Sequence, residues 1–169
     1  MTHLKAPPLT LRLGLSALAL GFALSGCGFH PMYGPSLSPQ LSSIYVEPIA
    51  ERDGYELRNS LIDLLGSNGE MRGKRYRLTI TLRESNQGVA LRNDAAITRY
   101  NDTLAASFVL TDSNGAKVTE GTQTGLTAYN VTSSPYATLT AQQDADRRVA
   151  QDIAERIRLD LAAFFRQRR

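Results

Sequence analysis

Residues 76–84, YRLTITLRE, carry the reading of the fold. Tyr76, Leu78, Ile80 and Leu82 fall on one side of an extended chain, and Arg75, Arg77, Thr79, Thr81 and Arg83 fall on the other. A strand of this kind buries one face and leaves a polar face open. Downstream, residues 97–111 predict a longer strand, with Tyr100, Leu104, Ala106, Phe108 and Leu110 on one face and Arg99, Asn101, Thr103 and Ser107 opposite. Asp112-Ser113-Asn114-Gly115 reads as a hairpin turn. The return strand, residues 117–131, is rich in Thr, Gly and Gln and weakly patterned, which predicts an edge position or cover by another partner.

Ser133-Ser134-Pro135 closes the sheet. From about residue 137 to 165 the spacing predicts one helix roughly 42 Å long. Its stripe is Ala145, Val149, Ile153, Ile157, Leu161 and Phe165, widened by Ala150, Ala154 and Phe164. Asp144 with Arg148 and Asp152 with Arg156 form i,i+4 pairs on its wet side. Upstream of the opening stretch, Leu57, Leu61, Leu64 and Leu65 repeat at helical spacing and end at Gly66 and Asn68-Gly69. Asp53 is the expected N-cap, with Glu56 completing a capping box. Residues 43–49, SIYVEPI, predict a short strand with Pro48 near its end. The order is β-α-β-β-β-α. It predicts an α+β two-layer sandwich over residues 41–169, two helices packed on one face of a four-stranded, mostly antiparallel sheet.

The first forty residues read differently. Lys5 and Arg12 precede LGLSALALGFAL at 13–24, too short for the roughly 20 residues that span a bilayer and suited to a signal-peptide core. Leu24-Ser25-Gly26-Cys27 resembles the lipobox of bacterial lipoproteins, in which the Cys27 thiol takes a diacylglycerol and becomes the first mature residue. Residues 1–26 are therefore expected to be a lipoprotein signal peptide. Two or three acyl chains on one Cys make attachment to a membrane stable without a spanning helix. Residues 27–40 contain Pro31, Gly34, Pro35 and Pro39 and read as the lipidated Cys and a flexible tether. Gly28 stands where many lipoproteins retained in the inner membrane carry Asp, and by analogy the outer membrane is expected.

Of the 169 residues, 19 are Lys or Arg and 16 Asp or Glu, a formal charge of +3. Removal of residues 1–26 takes away two basic groups and no acidic ones, leaving 17 against 16. The mature chain is nearly neutral, and an exported protein does not meet nucleic acid. One Cys and two His exclude a disulfide framework and the usual four-ligand zinc site. The only mature His, His30, lies on the tether, and no Walker, H-E-x-x-H or G-x-G-x-x-G motif occurs. No catalytic residue, metal ligand or cofactor site is expected. What remains is local basicity: Arg72, Lys74, Arg75, Arg77, Arg83, Arg92 and Arg99 lie within 28 residues. Arg75, Arg77, Arg83 and Arg99 share the open sheet face, with Arg92 in the adjoining loop. Singly each is an ordinary solvated residue. Together they fit an anion-binding surface, because guanidinium groups pair bidentately with phosphate. Phospholipid headgroups, lipid A phosphates and acidic groups of a protein partner are the open alternatives.

Cys27-Gly28-Phe29-His30-Pro31-Met32-Tyr33-Gly34 resembles the mature start of the LptE family of lipopolysaccharide-assembly lipoproteins in its alphaproteobacterial form. Arg52-Asp53-Gly54, Leu57-Arg58-Asn59, Tyr129-Asn130 and Ser134-Pro135-Tyr136-Ala137-Thr138 fit the same order. The resemblance implies a non-enzymatic outer-membrane lipoprotein that plugs the LptD β-barrel one to one, assists its assembly and helps insert lipopolysaccharide into the outer leaflet. It also implies a lipopolysaccharide contact at Arg92, joined by Arg75, Arg77, Arg83 or Arg99. Basic contacts expected near the start of the last helix have no equivalent in residues 137–143. The alternatives are a lipoprotein of a phospholipid-transport ABC system, a tethered hydrolase built on paired carboxylates, and a purely structural envelope lipoprotein.

Overall fold

The structure, a computed structural model, describes residues 38–91 and 97–168. A short helix α1 (Ser38–Ser42) leads into β1 (Ile44–Val46) and helix α2 (Glu51–Leu65). Strands β2 (Tyr76–Leu91), β3 (Ile97–Asp112) and β4 (Lys117–Asn130) follow, and helix α3 (Pro135–Gln167) ends the domain. The sheet order is β1-β2-β3-β4, with β1 parallel to β2 and the other pairs antiparallel. The α+β two-layer reading therefore holds. The last three residues of the segment read as tether, 38–40, form the first turn of α1.

The alternation in 76–84 is what the sheet uses. Leu78 and Ile80 are buried, and with Leu104, Phe108 and Leu110 of β3 they meet Leu57 and Leu61 of α2 and Ile153, Ile157 and Leu161 of α3. Each such side chain contributes about 1.5–3 kcal/mol when removed from water. β2 runs seven residues further than its apolar pattern predicts. Residues 83–89 are all exposed, and β3 pairs with them as far as Leu91↔Ile97. On β2 the strand thus extends past the residues that α2 and α3 cover, although its β3 partners Leu104 and Asp102 are still buried. Ladder hydrogen bonds continue the strand there without help from side-chain pattern.

Two details of α2 and β4 correct or explain the sequence reading. Asp53 is not the N-cap of α2: the helix starts at Glu51, Ala50 is the cap, and no side chain caps the helix. Asp53 lies in the first turn, part-buried, with its carboxyl close to other acids rather than to the backbone amides. β4 is an edge strand, as its weak pattern predicts. Its glycines have a further reason. A Cβ on Gly121 would sit 2.7 Å from the Phe108 ring, and one on Gly125 would collide with Val149 of α3. Glycine lets the long helix lie close on the sheet, at the cost of an apolar pattern. Ser134 caps α3, accepting from Ala137 N at 3.4 Å, with Pro135 at the first helical position.

Candidate functional site

The open face of the sheet is built from the second half of each strand's alternation. β2 presents Arg77, Thr79, Thr81, Arg83 and Ser85 to solvent, and β3 and β4 add Thr103, Ser107, Thr122, Thr124 and Leu126. Ser107 and Thr122 hydroxyls bond across strands at 3.1 Å. Leu126 is 70% exposed, a large apolar group on an otherwise hydroxyl-rich surface.

The register places the arginines along this face. Arg77 pairs with Thr111 and Arg83 with Ala105, six residues apart on β2, or about 20 Å. Arg99 lies six residues from Ala105 on β3, a further 20 Å or so towards the hairpin tip. Arg75 precedes β2 and shares a cleft with Arg77. Arg92 lies outside the described residues. Arg77 donates to Glu47 Oε1 at 2.8 Å, and Thr79 Oγ1 donates to the other oxygen of the same carboxylate at 2.8 Å. Arg75, Arg83 and Arg99 have no ion pair among the described residues. Thus Arg75 and Arg77 come together, while Arg83 and Arg99 occupy separate positions too far apart to grip one phosphate.

On the covered side of the sheet the sequence reading missed a second charged group. Asp53 of α2, Glu84 of β2, Asp102 of β3 and Asp146 of α3 lie near one another, Asp102 and Asp146 buried, Asp53 part-buried and Glu84 exposed at the margin. Asp102 is 2% exposed and Asp146 7%, each with a buried Oδ1 lacking a hydrogen-bond partner. All four carboxyls are held above the usual carboxylate range, burial being the first cause in each. For Asp102 the next cause is the charge of Asp146, and for Glu84 it is Asp102. The interaction between the Glu84 and Asp102 carboxyls pushes Glu84 up and opposes the rise at Asp102. Asp146 is pushed up to about 6 by burial and then by Asp53 and Glu84, with Arg52 opposing. The signal was present in the sequence: Glu84 and Asp102 have the even parity of the apolar faces, and Asp146 sits beside Ala145 in the helix stripe. No grouping among the described residues suits a metal ion.

The family model LptE, described as lipopolysaccharide-assembly, matches residues 41–161. The chain belongs to the LptE family. A lipoprotein from Caulobacter crescentus has a similar structure at 28% identity, covering 76% of this chain and 95% of its own, with a TM-score of 0.64. A minor lipoprotein from Acinetobacter baumannii shares the fold at 18% identity, 72% and 92% coverage and a TM-score of 0.57. Rare lipoprotein B from Shewanella oneidensis shares it at 10% identity, 71% and 93% coverage and a TM-score of 0.53. Among curated proteins none matches the chain. In this LptE-family chain no helix of the described residues is long and apolar enough to cross a membrane.

Proposed function

We propose that this LptE-family protein is an outer-membrane lipoprotein, exported by residues 1–26 and held by acylated Cys27. Its domain occupies the lumen of the LptD β-barrel in a 1:1 complex, assists assembly of that barrel and helps deliver lipopolysaccharide to the outer leaflet. It catalyses no reaction. The family match over residues 41–161, the folded domain, carries this reading. The open sheet face supports it, because a surface of Thr, Ser and Arg side chains suits the polar interior of an outer-membrane barrel. Arg92, with Arg75, Arg77, Arg83 or Arg99, meets the lipid A phosphates in this reading. Depleting the protein from cells is expected to lower both mature LptD and surface lipopolysaccharide; unchanged levels of both overturn the proposal. Arg92→Glu is expected to weaken lipopolysaccharide binding with unfolding unchanged, and unaltered binding removes Arg92 from the site.

A further inference from the structure

One end of the domain gathers Arg72, Lys74, Arg166 and Arg168, which lie outside the open-face array, around Arg75, which precedes β2. Residues 71–75, MRGKR, form a tight turn in which Lys74 N donates to Met71 O at 3.2 Å and Gly73 takes φ 78. Positive φ at the third position is the type II β-turn, which requires glycine there. Met71 is 44% exposed, and Arg72 and Arg75 are exposed beside it. A cleft of about 420 Å³ lies between this turn and the β3–β4 turn, with Lys74, Arg75 and Arg77 in its wall.

This is also the end at which the chain enters the domain. Lys74 Nζ donates to Ser42 O at 2.6 Å, and Arg75 N donates to Ser43 O at 3.0 Å. Ser38, where α1 begins, is eleven residues after Cys27, a reach of at most about 40 Å. The C-terminal end of α3 lies here too: the Tyr76 and Phe165 rings are 5.2 Å apart, and Arg168 sits 4.9 Å over Phe164. Arg166 is exposed one residue from Phe165. The acids nearby offer little compensation. Glu47 and Glu120 are taken by Arg77 and Lys117, and Asp112 accepts from the backbone of Asn114 and Ala116. Arg72, Lys74, Arg75, Arg166 and Arg168 have no acidic partner among the described residues, with Glu70 the exposed acid beside them.

We propose that this end of the domain, the 71–75 turn with Arg166 and Arg168, docks on the anionic phosphate headgroups of the membrane that holds Cys27, with Met71 at the headgroup boundary. The inference rests on acylation of Cys27. The ten residues between Cys27 and Ser38 limit how far the domain can leave the surface, so that weak contacts become intramolecular. Each Lys or Arg near an anionic surface strengthens attachment about fivefold. Docking in this way sends β2 from Tyr76 at the membrane to Leu91 roughly 50 Å along the sheet, away from the leaflet that carries the anchor.

The chain has no Trp, so Met71→Trp introduces a single reporter at an exposed site, and Val89→Trp, also exposed, reports from the far part of β2. Both variants of the full acylated chain are placed in nanodiscs of phosphatidylglycerol or phosphatidylcholine containing brominated lipid. The Met71→Trp emission is expected to shift to the blue and be quenched in phosphatidylglycerol, with little change for Val89→Trp. Adding Arg72→Gln, Lys74→Gln and Arg75→Gln is expected to lower the docked-to-undocked ratio about 100-fold. Equal quenching of the two reporters, or equal quenching in the two lipids, overturns docking while leaving the anchor intact. An intact mass without acyl groups overturns the anchor, and the docking with it.

Discussion

Replacing Asp146 by Asn isolates the electrostatic cost of the acids buried between sheet and helices. Asp146 is 7% exposed, and its carboxyl is pushed from 3.8 up to about 6, so the folded state holds its proton more tightly than the unfolded chain. A raised carboxyl pKa contributes stability that is fully present below the unfolded value and is lost as pH rises through the folded one. Between pH 4 and pH 6 that loss develops, and by pH 7.5 it amounts to about 3 kcal/mol for a shift of this size. Asp146→Asn removes the charge while keeping the shape. The variant is therefore expected to be more stable than the parent at pH 7.5 by about 1–3 kcal/mol, the lower figure applying if the amide finds no partner. That gain corresponds to roughly 4–11 °C in Tm. The two proteins should converge near pH 4. Equilibrium urea unfolding followed by circular dichroism at pH 7.5 and 4 measures both differences. A variant less stable than the parent at pH 7.5, or a difference that does not change with pH, refutes the reasoning.

Gly125→Val places a branched side chain where even a Cβ collides with Val149, and it is expected to cost about 1–3 kcal/mol or more by thermal unfolding. Ile157→Ala empties a fully buried position between α3 and the sheet, and a loss of about 2–5 kcal/mol in urea is expected. Ser134→Ala removes a cap bond that is long and exposed, so the loss should stay near 0.5–1 kcal/mol. Arg77→Ala breaks an ion pair with both partners partly in water; stability should change by about 1 kcal/mol or less, which makes it a clean probe of anion binding.

The parts of this structure that were legible in the sequence are those where one face is buried against a definite partner. Leu78 and Ile80 on β2, and Ile153, Ile157 and Leu161 on α3, announce their burial by spacing, and the two layers follow from them. Two features escaped for physical reasons. Residues 85–89 stay in a strand because β3 continues the ladder although their own side chains are exposed, so side-chain pattern has no burial to report. The N-terminus of α2 is set by how the chain leaves β1, which puts Asp53 among acids instead of at the cap. For Arg77, Arg83 and Arg99 alternation gave the face, but only the register gives the distances, about 20 Å intervals along the sheet, while Arg75, expected on the same face, falls in the turn before β2. The acid cluster was readable from parity at Glu84 and Asp102; a carboxylate on an apolar face is the sign that was available.

Partnership with a β-barrel can be read from the mass of the detergent-extracted complex. Native mass spectrometry of the tagged protein purified from outer membranes is expected to give one acylated chain bound to one LptD. The chain alone, or the chain bound to subunits of a transporter ATPase without LptD, would rule that partnership out.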